Sequence, residues 1–288
     1  MLKPFQLISP TSVVEASREL KRLGETAKIY AGGSELLLLL RHGLADCDHL
    51  VDVKGIDELQ QLRWDGHTMH IGACVTHRQL EKSSDVGQYL PLLRFAEAKV
   101  ANVRVRNIGT LGGNLCFGDP HSDPGTTLLV YDARVKVGGG NEERILPLEE
   151  FFKGQYETAL EPDDVLIEIE VDPLNDETRG AYIRVARFER PSLGVAVAAG
   201  LQDSHLTGVR LAVGCVGPVP IRLRELEAKV EGASLNEGQR VIREARDHLC
   251  DVLEPVEDLH GSVEYKTYLA GVLLARALGE AVGNNGGK

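Results

Sequence analysis

Residues 109–114 read Gly109-Thr-Leu-Gly-Gly-Asn114, which places three glycines, a hydroxyl and a side-chain amide among six positions. Glycine lets a backbone approach a ligand closely and adopt positive φ angles. Successive amides in such a stretch can form a concave anion site, to which Thr110 and Asn114 would add hydrogen bonds. The stretch predicts a phosphate-binding loop within residues 107–117, although Asn114 could equally be a turn residue that bonds its own backbone.

A second glycine segment lies nearer the N-terminus. A short apolar strand over residues 27–31 runs into Gly32-Gly-Ser34, and a helix is predicted from Ser34 to His42. Unpaired amides at the start of a helix suit a phosphate, but a Gly-Gly pair is also common in simple turns. Neither GxGxxG nor GxxxxGK[ST] occurs, so the motifs of Rossmann and P-loop sites are missing. The two segments could hold the two phosphates of one dinucleotide from either side.

The remaining pattern mixes helices and strands without a repeat. Ser12-Val-Val-Glu15 predicts a capping box that starts a helix, and Asp123-Pro124 predicts another helix with Asp123 as its cap. The polar stretch Asp172–Asp176 is the predicted linker. The other predicted elements are strands or hairpins at 49–53, 59–75, 133–146, 164–171, 181–188, 194–201 and 207–216, and helices at 76–82, 90–100 and from Ser234 and Ser262.

Composition describes a globular protein of 288 residues with a net charge of −11. That charge argues against a nucleic-acid surface, and short basic runs such as Arg222-Leu-Arg224 are expected to be solvated strand faces. No apolar run is long enough for an integral membrane segment, and the N-terminus lacks a signal-peptide pattern, so we expect a cytoplasmic location. Five scattered cysteines without a CxxC pair argue against an iron–sulfur cluster in this chain.

Other candidate sites are weaker. His67, His70, Cys74 and His77 are close in sequence. On a strand His70 and Cys74 would share a face, but His67 would lie in the turn and His77 in the next helix, so no metal site is expected. Spacing alone identifies no nucleophile with its base and no pair of catalytic carboxylates, so we assign no catalytic residue. His121 and Cys116 flank the second glycine segment, and His121 is expected to lie beside a bound cofactor.

Taken together, the motifs resemble one family, the FAD-binding medium subunits of the molybdenum hydroxylases, which include aerobic carbon monoxide dehydrogenase and the xanthine dehydrogenases. The paired glycine motifs, in this order and spacing, carry the resemblance. It covers nearly the whole chain. The matching stretches are Ala31–Leu36, Arg106–Leu115, Asp119–Asp123, Leu128–Ala133, Leu166–Glu170, Gly194–Ala199 and Ser262–Lys266.

This resemblance implies an α+β fold. Residues 1–175 would form a two-subdomain FAD-binding domain of the vanillyl-alcohol-oxidase/PCMH type, with subdomains of about 1–56 and 57–175. Residues 176–288 would form a smaller α+β C-terminal domain of the carbon monoxide dehydrogenase flavoprotein type.

The resemblance also implies a site for non-covalent FAD. Both glycine segments would wrap its pyrophosphate, Asp123 would bond the ribose or ribitol, Val100 would pack on the cofactor and Leu166 would lie near the flavin. Gly194 departs from the family, because some members carry a side chain there, often lysine, that contacts FAD. The implied contacts are Ile29, Tyr30, Ala31, Gly32, Gly33, Ser34, Glu35, Leu36, Val100, Thr110, Leu111, Gly112, Gly113, Asn114, Asp123 and Leu166.

The implied role is electron transfer inside a larger enzyme. A large molybdopterin subunit would oxidise the substrate, a small subunit with two [2Fe–2S] clusters would carry the electrons, and FAD on this chain would pass them to an outside acceptor. The complex is expected to be a dimer of heterotrimers. Two alternatives are a stand-alone flavin oxidoreductase of related fold, like the enolpyruvyl-glucosamine reductases, and a non-catalytic interaction protein that has lost FAD.

Overall fold

A computed structural model describes residues 3–139, 142–186 and 190–283 of the chain. The N-terminal unit is a three-stranded parallel sheet with strand order β1-β3-β2. Its elements are β1 (Gln6–Ile8), α1 (Val13–Leu23), β2 (Ala27–Tyr30), α2 (Leu36–His42) and β3 (His49–Asp52). The predicted cap of α1 is confirmed, because the Ser12 side chain accepts a hydrogen bond from the Glu15 amide. The Glu15 carboxylate bonds the amide of Thr11 instead of Ser12, so the capping box is shifted by one residue.

The second unit is built on a five-stranded antiparallel sheet with the order β4-β5-β10-β6-β7. Six short helices lie between β5 and β6 along the chain, and α1 of the N-terminal unit packs against β6 and β10 of this sheet. The elements are β4 (Leu62–Trp64), β5 (Met69–Gly72), α3 (His77–Lys82), α4 (Ser84–Tyr89), α5 (Pro91–Glu97), α6 (Val103–Ile108), α7 (Leu111–Phe117), α8 (Asp123–Val130), β6 (Arg134–Gly139), β7 (Glu142–Pro147), α9 (Leu148–Phe151), β8 (Phe152–Gly154), β9 (Glu157–Thr158) and β10 (Val165–Val171).

The third unit follows the predicted linker, which carries neither helix nor strand. Four antiparallel strands in the order β11-β12-β13-β14 are covered by helices. The elements are β11 (Arg179–Val185), β12 (Leu193–Gln202), β13 (His205–Gly214), β14 (Ile221–Arg222), α10 (Arg224–Val230), α11 (Leu235–Glu244), α12 (Arg246–Leu253) and α13 (Val263–Gly283). This mixture of sheets and segregated helices confirms the predicted α+β class.

Strand β12 joins two hydrophobic cores. Side chains alternate across a strand, and here Val195 and Val197 pack into the core of the third unit while Ala196 and Ala198 pack into the core of the first two. Small alanine side chains let helix α8 lie against this face of the sheet. The apolar run is therefore buried on both faces, and the third unit is fixed against the rest by close packing.

Several local predictions were wrong. Residues 107–117, predicted as a loop, form the end of α6 and all of α7, because Thr110 caps a new helix that includes two glycines. The single helix predicted from Ser234 divides into α11 and α12 at Ala245, and α10 was not predicted. Two predictions extend beyond the described residues. The strand predicted at 181–188 includes residues 187 and 188, and the turn of the hairpin predicted at 133–146 includes residues 140 and 141.

Each basic run contains an arginine that is held in an ion pair, so the prediction of solvated strand faces was wrong for these residues, although Arg224 is 54% exposed. Arg106 pairs with Glu81, Arg184 pairs with Asp123, and the Arg222 side chain is 5% exposed between Asp132 and Glu227. A short basic run in the sequence does not show which arginine is solvated and which one forms an ion pair between two secondary-structure elements. Within the described ranges, no helix combines the length and apolar character needed to cross a membrane.

Candidate functional site

The two glycine segments meet in space. A Cβ on Gly32 would overlap the carbonyl oxygen of Ile108 and lie 2.8 Å from the Cα of Gly109. The two backbones therefore touch, and only a residue without a side chain allows this approach. Gly33 has a φ of +71°, in the left-handed region, and a Cβ there would also overlap the Tyr30 ring. Steric contacts therefore require glycine at both positions, and a simple turn would not explain this requirement.

A cavity of about 560 Å³ opens beside this contact. Its size is within the range of small-molecule and cofactor sites. All of the predicted contacts except Tyr30 and Leu111 line it. Leu111 is fully buried in the core, and the Tyr30 ring is covered by the Lys54 ammonium 3.5 Å from its centroid. The predicted lining residues are Ile29, Ala31, Gly32, Gly33, Ser34, Glu35, Leu36, Val100, Thr110, Gly112, Gly113, Asn114, Asp123 and Leu166.

The first glycine segment offers free donors. Between β2 and α2, the amides of Gly33, Ser34 and Glu35 have no hydrogen-bond partner among the described residues. The next helical bond closes from the Leu37 amide to the Gly33 carbonyl. These consecutive amides at a cavity wall fit the oxygens of an anionic group.

The second segment works differently from the prediction. Its amides are already used inside the protein: Gly112 donates to Ala73 at 3.0 Å, and Gly113 donates to the Thr110 hydroxyl at 3.0 Å. The prediction that successive free amides of this segment form an anion site is therefore wrong. The Asn114 oxygen accepts a hydrogen bond from the Ser122 hydroxyl at 2.6 Å, which leaves its Nδ2 group as a donor at the cavity. Asn114 is accordingly not a turn residue bonding its own backbone.

Asp123 does not cap its helix. It is the first residue of α8, and the side chain points to the third unit, where Oδ1 accepts from the Tyr182 hydroxyl at 2.5 Å and Oδ2 pairs with Arg184 at 2.7 Å. Burial raises the pKa of Asp123 to about 6, and the Arg184 charge opposes this shift. Each carboxylate oxygen keeps a further lone pair, so Asp123 can still accept a hydrogen bond from a ligand hydroxyl.

Gly194 lies in β12 outside the cavity lining. A Cβ at this position would lie 2.5 Å from the Tyr182 hydroxyl oxygen. The glycine therefore leaves room for the tyrosine that bonds Asp123.

His77, Asp119 and Arg190 line the cavity but were not among the predicted contacts. His77 is 3% exposed, and its Nδ1 lies 2.6 Å from a carboxylate oxygen of Glu97, which is fully buried. Arg190 bridges both glycine regions, at 2.9 Å from Asp119 and 3.4 Å from Glu35. No sequence spacing relates these partners, since the contacts join segments far apart along the chain.

Cys116 and His121 also line the cavity. Burial raises the pKa of the Cys116 thiol to about 12, so it remains protonated and a weak nucleophile. His121 lies at the wall between Asp119 and Asp258, as expected for a loop residue beside the site. The cavity is therefore suited to a ligand held by non-covalent contacts.

Comparison with known proteins agrees with this geometry. Residues 3–173 match the family of the FAD binding domain in molybdopterin dehydrogenase, and residues 190–281 match the CO dehydrogenase flavoprotein C-terminal domain. The chain is 34% identical to the carbon monoxide dehydrogenase medium chain of Hydrogenophaga pseudoflava, covering 98% of both chains. It is 29% identical to the xanthine dehydrogenase FAD-binding subunit of Escherichia coli O157:H7, covering 91% of both.

Solved structures show the same similarity. A carbon monoxide dehydrogenase structure from Hydrogenophaga pseudoflava superposes with a TM-score of 0.93 at 34% identity, over 98% of each chain. Quinoline 2-oxidoreductase from Pseudomonas putida 86 gives 0.91 at 26% identity, over 99% of each chain. Because both family models match in chain order and the relatives align from end to end, the chain belongs to the family of FAD-binding subunits of the molybdopterin dehydrogenases.

Proposed function

We propose that this chain is the FAD-binding electron-transfer subunit of a molybdenum hydroxylase complex. The observation that carries the proposal is the backbone contact between Gly32 and Ile108-Gly109, because it brings both glycine segments to one cavity. Family membership and end-to-end similarity to medium and FAD-binding subunits support the same role.

The residues present fit FAD. The free amides of Gly33, Ser34 and Glu35 and the Nδ2 group of Asn114 provide hydrogen-bond donors for a pyrophosphate. Asp123 supplies an acceptor for a sugar or ribityl hydroxyl. The other predicted lining residues would complete the contacts, with Tyr30 and Leu111 supporting the segments from behind.

Apolar side chains complete the site. Val100 and Leu166 line the cavity and are 8% and 4% exposed, so they offer an apolar surface to a planar ring system. FAD, when bound, supplies the electron chemistry, and the protein supplies position and electrostatic environment. The chain's own residues bind, orient and exclude water, and we assign none of them as a catalytic acid or base.

The proposed partners follow from the family. A large molybdopterin subunit and a small subunit with two [2Fe–2S] clusters would deliver electrons to FAD on this chain, in a cytoplasmic dimer of heterotrimers. Molybdopterin and clusters would stay on the partners. We propose a division of the chain into a FAD-binding domain, 1–175, with subdomains of about 1–56 and 57–175, and a C-terminal domain, 176–288.

The cofactor assignment is tested by mixing the purified chain with FAD and removing unbound flavin on a desalting column. We expect one FAD per chain, with the flavin absorption bands retained. Gly113→Val should abolish FAD retention. Gly113 is exposed to the cavity in the first turn of α7, and a β-branched side chain there would block the close approach of the cofactor to the backbone. Gly55→Val is the matched control, since nothing lies within 4 Å of a Cβ at that exposed position. A wild-type chain that takes up no FAD would favour a protein that has lost its cofactor.

The partner assignment needs a separate experiment. A tagged chain isolated from its native cells should co-purify with one molybdopterin protein and one iron–sulfur protein. Isolation of this polypeptide alone with full oxidoreductase activity would instead indicate a stand-alone flavin enzyme.

A further inference from the structure

A cluster of side chains that could bind a metal ion lies at the boundary between the FAD-binding and C-terminal domains. His121 comes from the segment between α7 and α8, and Asp258 and His260 come from the turn before α13. One donor atom from each residue lies within 4.8 Å of the others. The Nε2 atom of His121 is 3.5 Å from Oδ2 of Asp258, and the two imidazole rings have centroids 5.1 Å apart.

His121 is oriented by another carboxylate. Its Nδ1 lies 3.6 Å from Oδ1 of Asp119, and the same oxygen accepts the His121 backbone amide at 2.9 Å. Carboxylates therefore flank both ring nitrogens, with Asp119 on the Nδ1 side and Asp258 on the Nε2 side. An ion bound to the Nε2 lone pair would leave the proton on Nδ1, facing Asp119. Nε2 is buried and has no hydrogen-bond partner among the described residues. With an ion on Nε2, a small shift of the ring would let Nδ1–H donate to Asp119, which is the usual support of a metal-binding histidine.

The turn fixes the other two ligands. The backbone amide of Gly261 donates to the carbonyl of Asp258 at 3.2 Å, and the His260 amide donates to Oδ1 of Asp258 at 2.8 Å. Lys266 is nearly fully buried and also holds Oδ1, at 2.8 Å. Oδ2 of Asp258 is therefore left to face His121, and the spacing between Asp258 and His260 is set by the backbone.

We propose that His121, Asp258 and His260 form a binding site for a divalent transition-metal ion such as Zn²⁺, which links the two domains. Two imidazoles and one carboxylate are typical ligands of this class of ion, with water completing the coordination. Ligands ~2.0–2.2 Å from a tetrahedral ion lie roughly 3.3–3.6 Å from each other. The separation of 3.5 Å between His121 and Asp258 fits that geometry.

Another cluster provides a matched control. His70, Glu168 and Glu170 also lie close together on the antiparallel sheet. It contains one imidazole, and Glu170 is already paired with Arg134 at 3.1 Å, so it is the poorer set of ligands for Zn²⁺. His70→Gln should leave the proposed site intact.

The test uses the full chain after treatment with a chelator. Titration with ZnCl₂ in a calorimeter should give one saturable site, and Co²⁺ should produce the visible absorption bands of a four-coordinate site. His121→Gln and His260→Gln should each weaken binding by more than tenfold, and Asp119→Asn by about 10–100-fold, the usual effect of removing a supporting carboxylate. ZnCl₂ should raise the Tm of the wild type but not of the His260→Gln variant.

The outcome is separable from FAD binding. His260 is outside the cavity lining, so His260→Gln should keep its FAD, and metal uptake can be measured whether or not flavin is present. No saturable Zn²⁺ uptake by the wild type would overturn the proposal. So would uptake that persists unchanged in both the His121→Gln and His260→Gln variants, or that is lost only in His70→Gln.

Discussion

The Tyr182 hydroxyl donates a hydrogen bond of 2.5 Å to Oδ1 of Asp123, joining strand β11 of the C-terminal domain to the first turn of α8 in the FAD-binding domain. Both residues are buried, and Arg184 on the same strand neutralises the other carboxylate oxygen. The C-terminal domain thus sets the position and charge of a residue that lines the cofactor cavity. A substitution on β11 or β12 should therefore change the binding of FAD.

Gly194→Ala tests this connection. The new Cβ would lie 2.5 Å from the Tyr182 hydroxyl oxygen, and we expect the free energy of unfolding to fall by about 1–3 kcal/mol, as in other overpacked cores. In a Tyr182→Phe background the hydroxyl is absent, so the same substitution should cost less. Urea denaturation of both single variants and the double variant measures this coupling. Additive effects would mean that Gly194 does not serve the tyrosine.

Asp123 should give the protein an unusual pH dependence. Its pKa in the folded state is raised to about 6, above the ~3.9 of an unfolded aspartate, so the folded state binds this proton more tightly. The stability that protonation contributes is fully present below pH ~4 and is lost as the pH rises through ~6. Arg184, Tyr182, Glu97 and His77 are the charged or polar groups that influence this carboxyl.

Asp123→Asn measures that contribution. The difference in Tm between the wild type and the variant should change between pH 4 and pH 6.5, with the wild type losing stability relative to the variant as the pH rises. Carboxylates distant from position 123 titrate equally in both proteins and cancel, so the difference reports Asp123 together with the groups coupled to it, Glu97 and His77. A constant difference over this range would show that the pKa is not raised.

Gly32→Val should separate the two glycine segments. Its side chain would overlap the Ile108 carbonyl, so we expect FAD affinity to fall at least tenfold, a loss of ~1.4 kcal/mol or more. Fluorescence titration of the apoprotein with FAD provides the measurement, and Gly55→Val again serves as the control. Unchanged affinity in Gly32→Val would mean that the contact between the segments is not needed for binding.

Arg222→Met should destabilise the protein by about 3–5 kcal/mol, because it leaves Glu227 in a buried position without its cation. Glu227 keeps its hydrogen bond from the Leu211 amide, which cannot neutralise the charge. Arg240→Met is the control: Arg240 and Glu244 form a pair in which both side chains are about 60% exposed, so the change should be below ~0.5 kcal/mol. Equal effects in chemical denaturation would contradict the assigned role of Arg222.

The sequence by itself determined the features that depend on local chemistry. Capping at Ser12, the hairpins and the two glycine segments follow from residue type and spacing, and the order of the two segments identified the family. Those signals are local because caps, turns and strand alternation involve residues close together along the chain.

The tertiary structure decided which groups at the site are free and which are already paired. The amides after Leu111 bond Ala73 and Thr110, while those of Gly33, Ser34 and Glu35 stay available. Asp123 meets Tyr182 and not its own helix terminus. Hydrogen-bond partners of this kind come from distant segments brought together by packing, and the pattern of one segment carries no information about the other.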